Sequence, residues 1–391
     1  MRQILDTISR HALTRQTISA LKESGRATVT GLAGSLRSIM AAILYQQTGT
    51  PLLILCEEAD DIDAIQADLV SLLGSDSILL FREQKHGAAA TRETLDAEVI
   101  ALTDALKVLA NDPVRIILTD ITTIGEPVPT AGDIDAGVTS IRRGETLLFE
   151  TFAKDLALGG FEKTDIVDTV GEYAVRGGIV DIFPVGTENP YRIEFFGDEI
   201  DSIREFDPAS QRSVRDIDEI DILARVFHSE NSELLTATLL DHLPENSLLF
   251  IDEPERVGGL LEENEQKAIA KRIGAMPGLR ATNVPTGTDE IIDFGGRPQP
   301  TTSASIGTLC GEIAGLVAKE STIWLLADGD RMRRRLADLL DGECDRAADE
   351  ERPYSFNPTT LRYDAEILSE GFLFPEAKLA VFTEHQIFNR R

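Results

Sequence analysis

Short apolar runs alternate with amphipathic stretches through the first third of the chain. The runs at 51–56 (PLLILC), 77–81 (SILLF) and 114–120 (VRIILTD) have the length and composition of buried strands. A helical pattern lies between successive runs, and the first of these helices is stopped by Gly74. We expect a twisted parallel sheet that is covered by helices.

A turn-rich break at 128–137 separates this region from a segment with a different period. Residues 138–224 show the alternation of paired strands with many turn residues. The buried pattern then returns at 247–255, 321–330 and 378–388. We therefore predict one α/β domain in two halves, interrupted by a smaller strand-rich α+β insertion. The predicted segments are 1–137 (first half), 138–224 (insertion) and 225–391 (second half).

A glycine-rich turn follows the first apolar stretch, at 29–44 (VTGLAGSLRSIMAAIL). It has the layout of the phosphate-binding loop G-x-x-x-x-G-K-[ST], in which backbone N–H groups surround phosphates. Gly31, Gly34 and Ser38 fit that layout, but Leu36 replaces its second glycine and Arg37 replaces its lysine. A branched side chain at position 36 hinders close approach of the backbone, and Arg does not substitute for Lys between phosphates. The fold class predicted is therefore RecA/P-loop-like, with a degenerate loop.

The acidic residues that would accompany such a loop are Asp252 and Glu253, which end the apolar run 248–251. A strand that ends in Asp-Glu is common, so it is weak evidence for Mg²⁺ binding. We predict a nucleotide fold without ATP turnover, with no catalytic residues, no cofactor and no metal. The alternative is an ATPase or helicase half in which Arg37 and Ser38 still act with Asp252 and Glu253.

The charge balance limits the partners of the chain. It has 67 acidic and 38 basic residues, for a formal net charge of -29. Because nucleic-acid binding needs Lys and Arg against phosphates, broad DNA binding is not expected. The three cysteines, Cys56, Cys310 and Cys344, are widely spaced and suggest reduced thiols rather than zinc ligands. No signal peptide or membrane span is evident, so a cytoplasmic location is expected.

Two motifs in the strand-rich insertion are recognisable. GEYAVRGGIVDIFP at 171–184 and PYRIEFFGDEIDSIREFDPASQRS at 190–213 closely resemble the N-terminal region of the bacterial transcription-repair coupling factors, the Mfd family. That region is itself similar to the front half of the excision-repair protein UvrB. LPENSLLFIDEPERV at 243–257 and LAVFTEHQIFNRR at 379–391 also resemble Mfd, so the resemblance covers nearly the whole chain.

The resemblance favours Mfd over UvrB for two reasons. UvrB resembles an intact ATPase, whereas the loop of this chain is degenerate. UvrB also has an aromatic-rich hairpin that holds DNA, but Tyr45 and Phe81 are the only aromatic residues (Phe, Trp, Tyr) within 1–148. The resemblance implies that the parts that bind RNA polymerase and duplex DNA lie in later domains of a longer protein.

In both families the insertion domain docks UvrA, and the positions that match its contact residues are Arg176, Arg192 and Phe196. Strand alternation in 191–196 places Arg192 and Phe196 on one face and the apolar set with Ile193 on the other. Arg and aromatic residues dominate interface energetics. From the pattern alone, a solvated sheet face with one stray Phe is an open alternative.

The resemblance further suggests that a distant C-terminal domain masks the UvrA-docking face in the longer protein. A purely structural role, in which the chain only braces other parts of such a protein, is a third possibility.

Overall fold

The computed structural model describes residues 1–57, 59–82, 92–112, 115–223, 235–263, 266–283, 290–302 and 305–388. Two compact units emerge from its internal contacts. Unit 1 comprises Met1–Leu79, Val114–Ile121 and Asn246–Arg391, and unit 2 comprises Leu80–Pro113 and Thr122–Glu245. In the described ranges, no helix is both long and apolar enough to cross a membrane.

The α helices are α1 (Arg2–Ser9), α2 (Ala12–Ser24), α3 (Leu36–Thr48), α4 (Ala59–Leu73), α5 (Arg92–Asn111), α6 (Ala131–Ala136), α7 (Phe149–Leu158), α8 (Leu239–His242), α9 (Pro254–Glu263), α10 (Lys267–Ala275), α11 (Ile306–Val317), α12 (Gly329–Asp349) and α13 (Glu384–Ile387). Glycine in the left-handed conformation ends α2 at Gly25 and α3 at Gly49, and its N–H binds a carbonyl of the last turn.

The strands are β1 (Arg26–Thr30), β2 (Leu52–Cys56), β3 (Ile78–Leu80), β4 (Ile116–Asp120), β5 (Val138–Arg142), β6 (Glu162–Lys163), β7 (Glu172–Arg176), β8 (Ile179–Ile182), β9 (Tyr191–Phe196), β10 (Glu199–Phe206), β11 (Ser213–Ile217), β12 (Glu219–Leu223), β13 (Leu248–Asp252), β14 (Gly278–Ala281), β15 (Ile291–Asp293), β16 (Arg297–Pro298), β17 (Thr322–Leu326), β18 (Arg362–Asp364), β19 (Phe372–Phe374) and β20 (Leu379–Thr383).

The main sheet of unit 1 has seven strands in the order β15-β1-β14-β13-β2-β4-β3. From β15 to β4 every pairing is parallel, with Leu53 opposite Leu249 on one side and Ile117 on the other. Every residue of β2 and β4 is buried. Continuous apolar runs of this kind are typical of parallel strands covered on both faces. The predicted α/β class with a parallel sheet is confirmed.

A second sheet in unit 1 has five strands in the order β16-β19-β20-β17-β18. β20 and β18 pair in parallel with β17, whereas β19 is antiparallel to β20. The returning apolar runs therefore divide between two sheets, because β13 enters the main sheet and β17 and β20 do not. Hydrophobic patterning shows that a strand is buried, but it does not show which sheet the strand joins.

Unit 2 contains a six-stranded sheet in the order β11-β10-β9-β8-β7-β6 and a two-stranded ribbon of β5 and β12. β7 to β11 pair antiparallel, as the alternating sequence pattern predicts. One face of this sheet packs on a core that includes Phe152 and Leu156 of α7 together with Ile193 and Ile203. The domain boundaries at 137/138 and 224/225 stay predictions. Residues 224 and 225 lie outside the described ranges.

Candidate functional site

The glycine-rich turn lies between β1 and α3, and its Leu36 and Arg37 N–H groups are hydrogen-bonded within the turn to the Ala33 and Gly34 carbonyl groups. Gly31 and Gly34 have positive φ values of 72° and 55°, which glycine adopts without strain. A Cβ on Gly31 would lie 2.7 Å from the Gly295 N atom, and one on Gly34 would lie 2.6 Å from the Gly371 O atom. Both glycines are therefore required by close approach of the protein's own backbone.

The residues that depart from the phosphate-loop pattern take part in packing and ion pairing. Leu36 is fully buried, and its Cδ2 atom would lie 3.1 Å from a Cβ on Gly296. Arg37 Nη1 lies 2.6 Å from Asp252 Oδ2, and Arg37 Nη2 lies 3.9 Å from Glu370 Oε2. Burial raises the pKa of the Asp252 carboxyl group, and the adjacent Arg37 opposes that rise.

The other two predicted residues of this site make different contacts. Ser38 is buried, and its hydroxyl group hydrogen-bonds the carboxylate of Asp68. Glu253 accepts a hydrogen bond of 2.7 Å from the Asn283 N–H group. The structure thus brings Arg37 and Asp252 together, while Ser38 and Glu253 are each bound to other parts of unit 1.

The second candidate site is the outer face of the six-stranded sheet, which faces away from the core that contains Ile193. Arg192 on β9 lies directly opposite Asp181 on β8. The Arg192 guanidinium donates hydrogen bonds of 2.7 and 2.9 Å to the two carboxylate oxygens of Asp181. Arg176 on β7 also pairs with Asp181, whose side chain is fully buried. One carboxylate therefore holds the two arginines together. Arg176, Asp181 and Arg192 form the Arg-Asp-Arg cluster.

One aromatic ring contacts this cluster, and a second lies four residues beyond Arg192, at the end of β9. The Arg192 guanidinium carbon is 4.7 Å from the centre of the Phe206 ring, which is fully buried. Such stacking fixes the plane of a guanidinium group. Phe196 at the end of β9 is 83% exposed, the largest exposed fraction among the large apolar residues described. The β9 face predicted from alternation is observed, because Ile193 is fully buried in the core on the opposite side.

Asp181 was not among the residues singled out from the sequence. It lies within the apolar strand β8 and is fully buried between the buried residues Val180 and Ile182. A charged residue in the middle of a buried run needs a partner of opposite charge, and this is the signal that could have identified it.

Comparison with known proteins agrees with this architecture. Residues 139–226, in the strand-rich part of unit 2, match the family model described as UvrB interaction domain. The match extends over the strands β5 to β12 and includes Arg176, Asp181, Arg192 and Phe196.

Relatives among curated proteins are transcription-repair-coupling factors. The protein of Bacillus subtilis (strain 168) is 25% identical over 92% of this chain. Those of Staphylococcus aureus (strain bovine RF122 / ET3-1) and Myxococcus xanthus are 26% and 28% identical over 62% and 53% of this chain. The chain spans 38%, 20% and 18% of the lengths of these relatives. The resemblance to the Mfd family that the sequence motifs indicate is confirmed.

Proposed function

We propose that this chain is a UvrA-docking module of a transcription-repair coupling factor, and that it does not itself hydrolyse ATP. The observation that carries the first part is the exposed Phe196 on the same sheet face as the Arg-Asp-Arg cluster, within a UvrB interaction domain. The resemblance to Mfd supports UvrA as the partner. UvrA would recognise this face and so be brought to stalled transcription.

The chemistry of the face defines what the partner must offer. Two guanidinium groups share the single carboxylate of Asp181, so the Arg-Asp-Arg cluster keeps one net positive charge. Arg176 is about half exposed and Arg192 is 18% exposed, so both side chains still reach solvent. A matching surface on UvrA would place a carboxylate near the arginines and an apolar pocket over Phe196. Interface hot spots are often aromatic or Arg side chains that become buried when the complex forms.

Quantitative binding to purified UvrA tests this proposal. We expect Arg192→Ala and Phe196→Ala each to weaken binding by about 2 kcal/mol, which is about thirtyfold in affinity. Circular dichroism and thermal unfolding of each variant establish that the fold is intact. Absence of binding by the unaltered chain, or unchanged affinity in both folded variants, would contradict the proposal. Absence of UvrA binding would also favour the purely structural role, in which the chain only supports other parts of a longer protein.

Support for the second part comes from the phosphate loop. The cation at position 37 is paired with Asp252, the residue expected to hold Mg²⁺ in an ATPase. A triphosphate would therefore compete with an existing, half-buried ion pair. Titration with ATP and Mg²⁺ separates this proposal from the alternative of a UvrB-type ATPase, because only the latter binds and turns over the nucleotide.

The resemblance supports two further proposals about the longer protein. Its later domains would bind RNA polymerase and duplex DNA, and one of them would cover the UvrA-docking face until polymerase is engaged. This chain would then bind UvrA more tightly than the longer protein does. Equal affinities in a side-by-side titration would argue against such masking.

A further inference from the structure

The segment Ser369–Gly371, between β18 and β19, lies against the phosphate loop in unit 1. The Ser35 N–H group at the start of α3 donates a hydrogen bond of 3.3 Å to the Glu370 carbonyl oxygen. In return, the Glu370 N–H group donates one of 2.9 Å to the Ser35 Oγ atom. In an active loop, the N–H groups at this helix start bind phosphate oxygens. Here a peptide carbonyl accepts from one of them.

Every backbone polar group of this segment has a partner in unit 1. Ser369 N–H donates to Asp68 Oδ1 at 2.6 Å, and Gly371 N–H donates to Gln386 Oε1 at 2.8 Å. The Ser369 and Gly371 carbonyl groups contact His385 Nε2 at 2.6 Å and the Gln299 N–H group at 3.2 Å. A displacement of the segment would break several of these hydrogen bonds at once, so full pairing holds it in one position.

Close packing reinforces these hydrogen bonds on both sides of the segment. Gly34 has so little space that an added Cβ would lie 2.6 Å from the Gly371 O atom. At Gly371, an added Cβ would lie 2.6 Å from the Val381 O atom and 2.0 Å from Gln299 Oε1. The loop and the segment are therefore matched surfaces, and each contains a glycine at the point of contact.

Two side chains add charge pairing and an anchor. Glu370 places its carboxylate 3.9 Å from Arg37 Nη2, next to the Arg37 and Asp252 pair. Asp68 on α4 is only 2% exposed, and its carboxylate accepts hydrogen bonds from the Ser369 N–H group and from the hydroxyl groups of Ser35 and Ser38. Asp68 thus links the loop, the helix that follows it and the segment in one network.

We propose that the phosphate loop is a binding site for the chain's own segment Ser369–Gly371, which occupies it in place of a nucleotide phosphate. The loop then joins the segment between β18 and β19 to the start of α3. This inference deepens the proposed absence of ATP turnover and rests on that part of the proposed function. The loop is then closed by a peptide, in addition to being altered at Arg37.

Amide hydrogen exchange of the whole chain, read by mass spectrometry, tests the contact directly. We expect slow exchange in a peptide that covers 366–374. Ser35→Ala should speed that exchange about fivefold to tenfold, because one hydrogen bond of about 1 kcal/mol is lost. Ser75→Ala, at an exposed serine of the same unit, is the matched control and should leave it unchanged. Exchange of the Glu370 and Gly371 amides at the rate of an open chain would overturn the proposal, even if Ser35→Ala fails to fold.

A second arm uses Arg37→Lys, which restores the ordinary cation of the loop. A fluorescent ATP analogue with Mg²⁺ should not bind this variant, because Ser369–Gly371 still fills the loop. Binding by Arg37→Lys with protection of the loop from exchange would overturn the proposal. The result for Arg37→Lys is independent of the tests of the proposed function, because those tests measure UvrA binding and ATP hydrolysis on the unaltered chain.

Discussion

Arg192 and Asp181 face each other on neighbouring antiparallel strands, and their side chains are joined by two hydrogen bonds of 2.7 and 2.9 Å. Asp181 is fully buried, so the position of the guanidinium is set from inside the domain. A side chain that is already ordered loses little conformational freedom when a partner binds. The sheet therefore offers a preorganised cation on the face of β9 that also carries the exposed Phe196.

The clearest test of the docking face is Phe196→Ala. Phe196 is 83% exposed, so the truncation should change the unfolding free energy by less than about 0.5 kcal/mol. If the ring enters a pocket of UvrA, affinity should fall about thirtyfold, as measured by isothermal titration calorimetry. Leu158→Ala is a matched control, because Leu158 is 75% exposed in the same unit. Equal loss of affinity in both variants would point to a general effect of apolar surface.

Asp181→Asn should affect both stability and binding. The substitution leaves the two arginines without the charge that holds them, and we expect it to lower the unfolding free energy by about 2 kcal/mol. This loss of unfolding free energy is smaller than that expected for a fully buried ion pair, because both arginines reach water. Urea unfolding measures it, and UvrA affinity should fall as well because Arg192 is no longer held.

Asp216→Asn is the control for this experiment. Asp216 lies on β11, at the edge of the same sheet, its side chain is 84% exposed, and its carboxylate is 3.8 Å from Arg204. Exposed ion pairs of this kind contribute about 0–1 kcal/mol. An unfolding midpoint of Asp181→Asn that matches that of Asp216→Asn would show that the Arg-Asp-Arg cluster is not structural.

Much of the fold follows from local pattern. Continuous apolar runs predict β2 and β13, and alternation in 191–196 predicts which face of β9 is buried. Both signals are local, because burial of a strand depends on side chains within it. The pairing of β17 and β20 in a separate sheet is a long-range choice with no local signal.

The same distinction applies to the two sites. Arg37 and Asp252 were expected in one site because an acidic strand end accompanies a phosphate loop. The sequence does not show that their side chains form a direct ion pair. Ser35 and Glu370 are 335 positions apart, and neither has a motif that indicates the other. The role of Asp181 was likewise hidden, because its partners come from two different strands.

Thiol reactivity should separate the three cysteines. Burial raises the pKa of Cys56 and of Cys310 to about 12. At pH 8 such a thiol is ionised in about one molecule in ten thousand, and the thiolate is the reactive form. Burial also raises the pKa of the Cys344 thiol. This thiol is only partly buried, however, so a reagent can reach it. We expect alkylation by iodoacetamide to modify Cys344 first.

Peptide mapping by mass spectrometry identifies the modified thiol, and alkylation in guanidinium chloride provides the control in which all three react. Early modification of Cys56 in the folded chain would contradict its burial beneath the carboxyl ends of the main sheet. It would also indicate that the region beside Arg37 opens more readily than the structure implies.

The carboxylate of Asp68 gives a pH dependence whose sign can be derived. Burial raises its pKa above the ordinary value of 3.8, although hydrogen bonds from the Ser369 N–H group and from serine hydroxyl groups oppose that rise. The folded state then binds the Asp68 proton more tightly than the unfolded state does. The contribution of Asp68 to stability is therefore present at low pH and is lost as the pH rises above about 4 through the raised pKa.

Asp68→Asn removes this titration while it keeps an oxygen that can accept from the Ser369 N–H group. The unfolding free energy of the unaltered chain minus that of Asp68→Asn should therefore fall between pH 4 and pH 7, as measured by urea titration at several pH values. Subtraction cancels the other carboxylates, which titrate in both proteins. A difference that rises with pH would mean that the hydrogen bonds to the ionised carboxylate outweigh its burial, and Asp68 would then be an anchor that strengthens on ionisation.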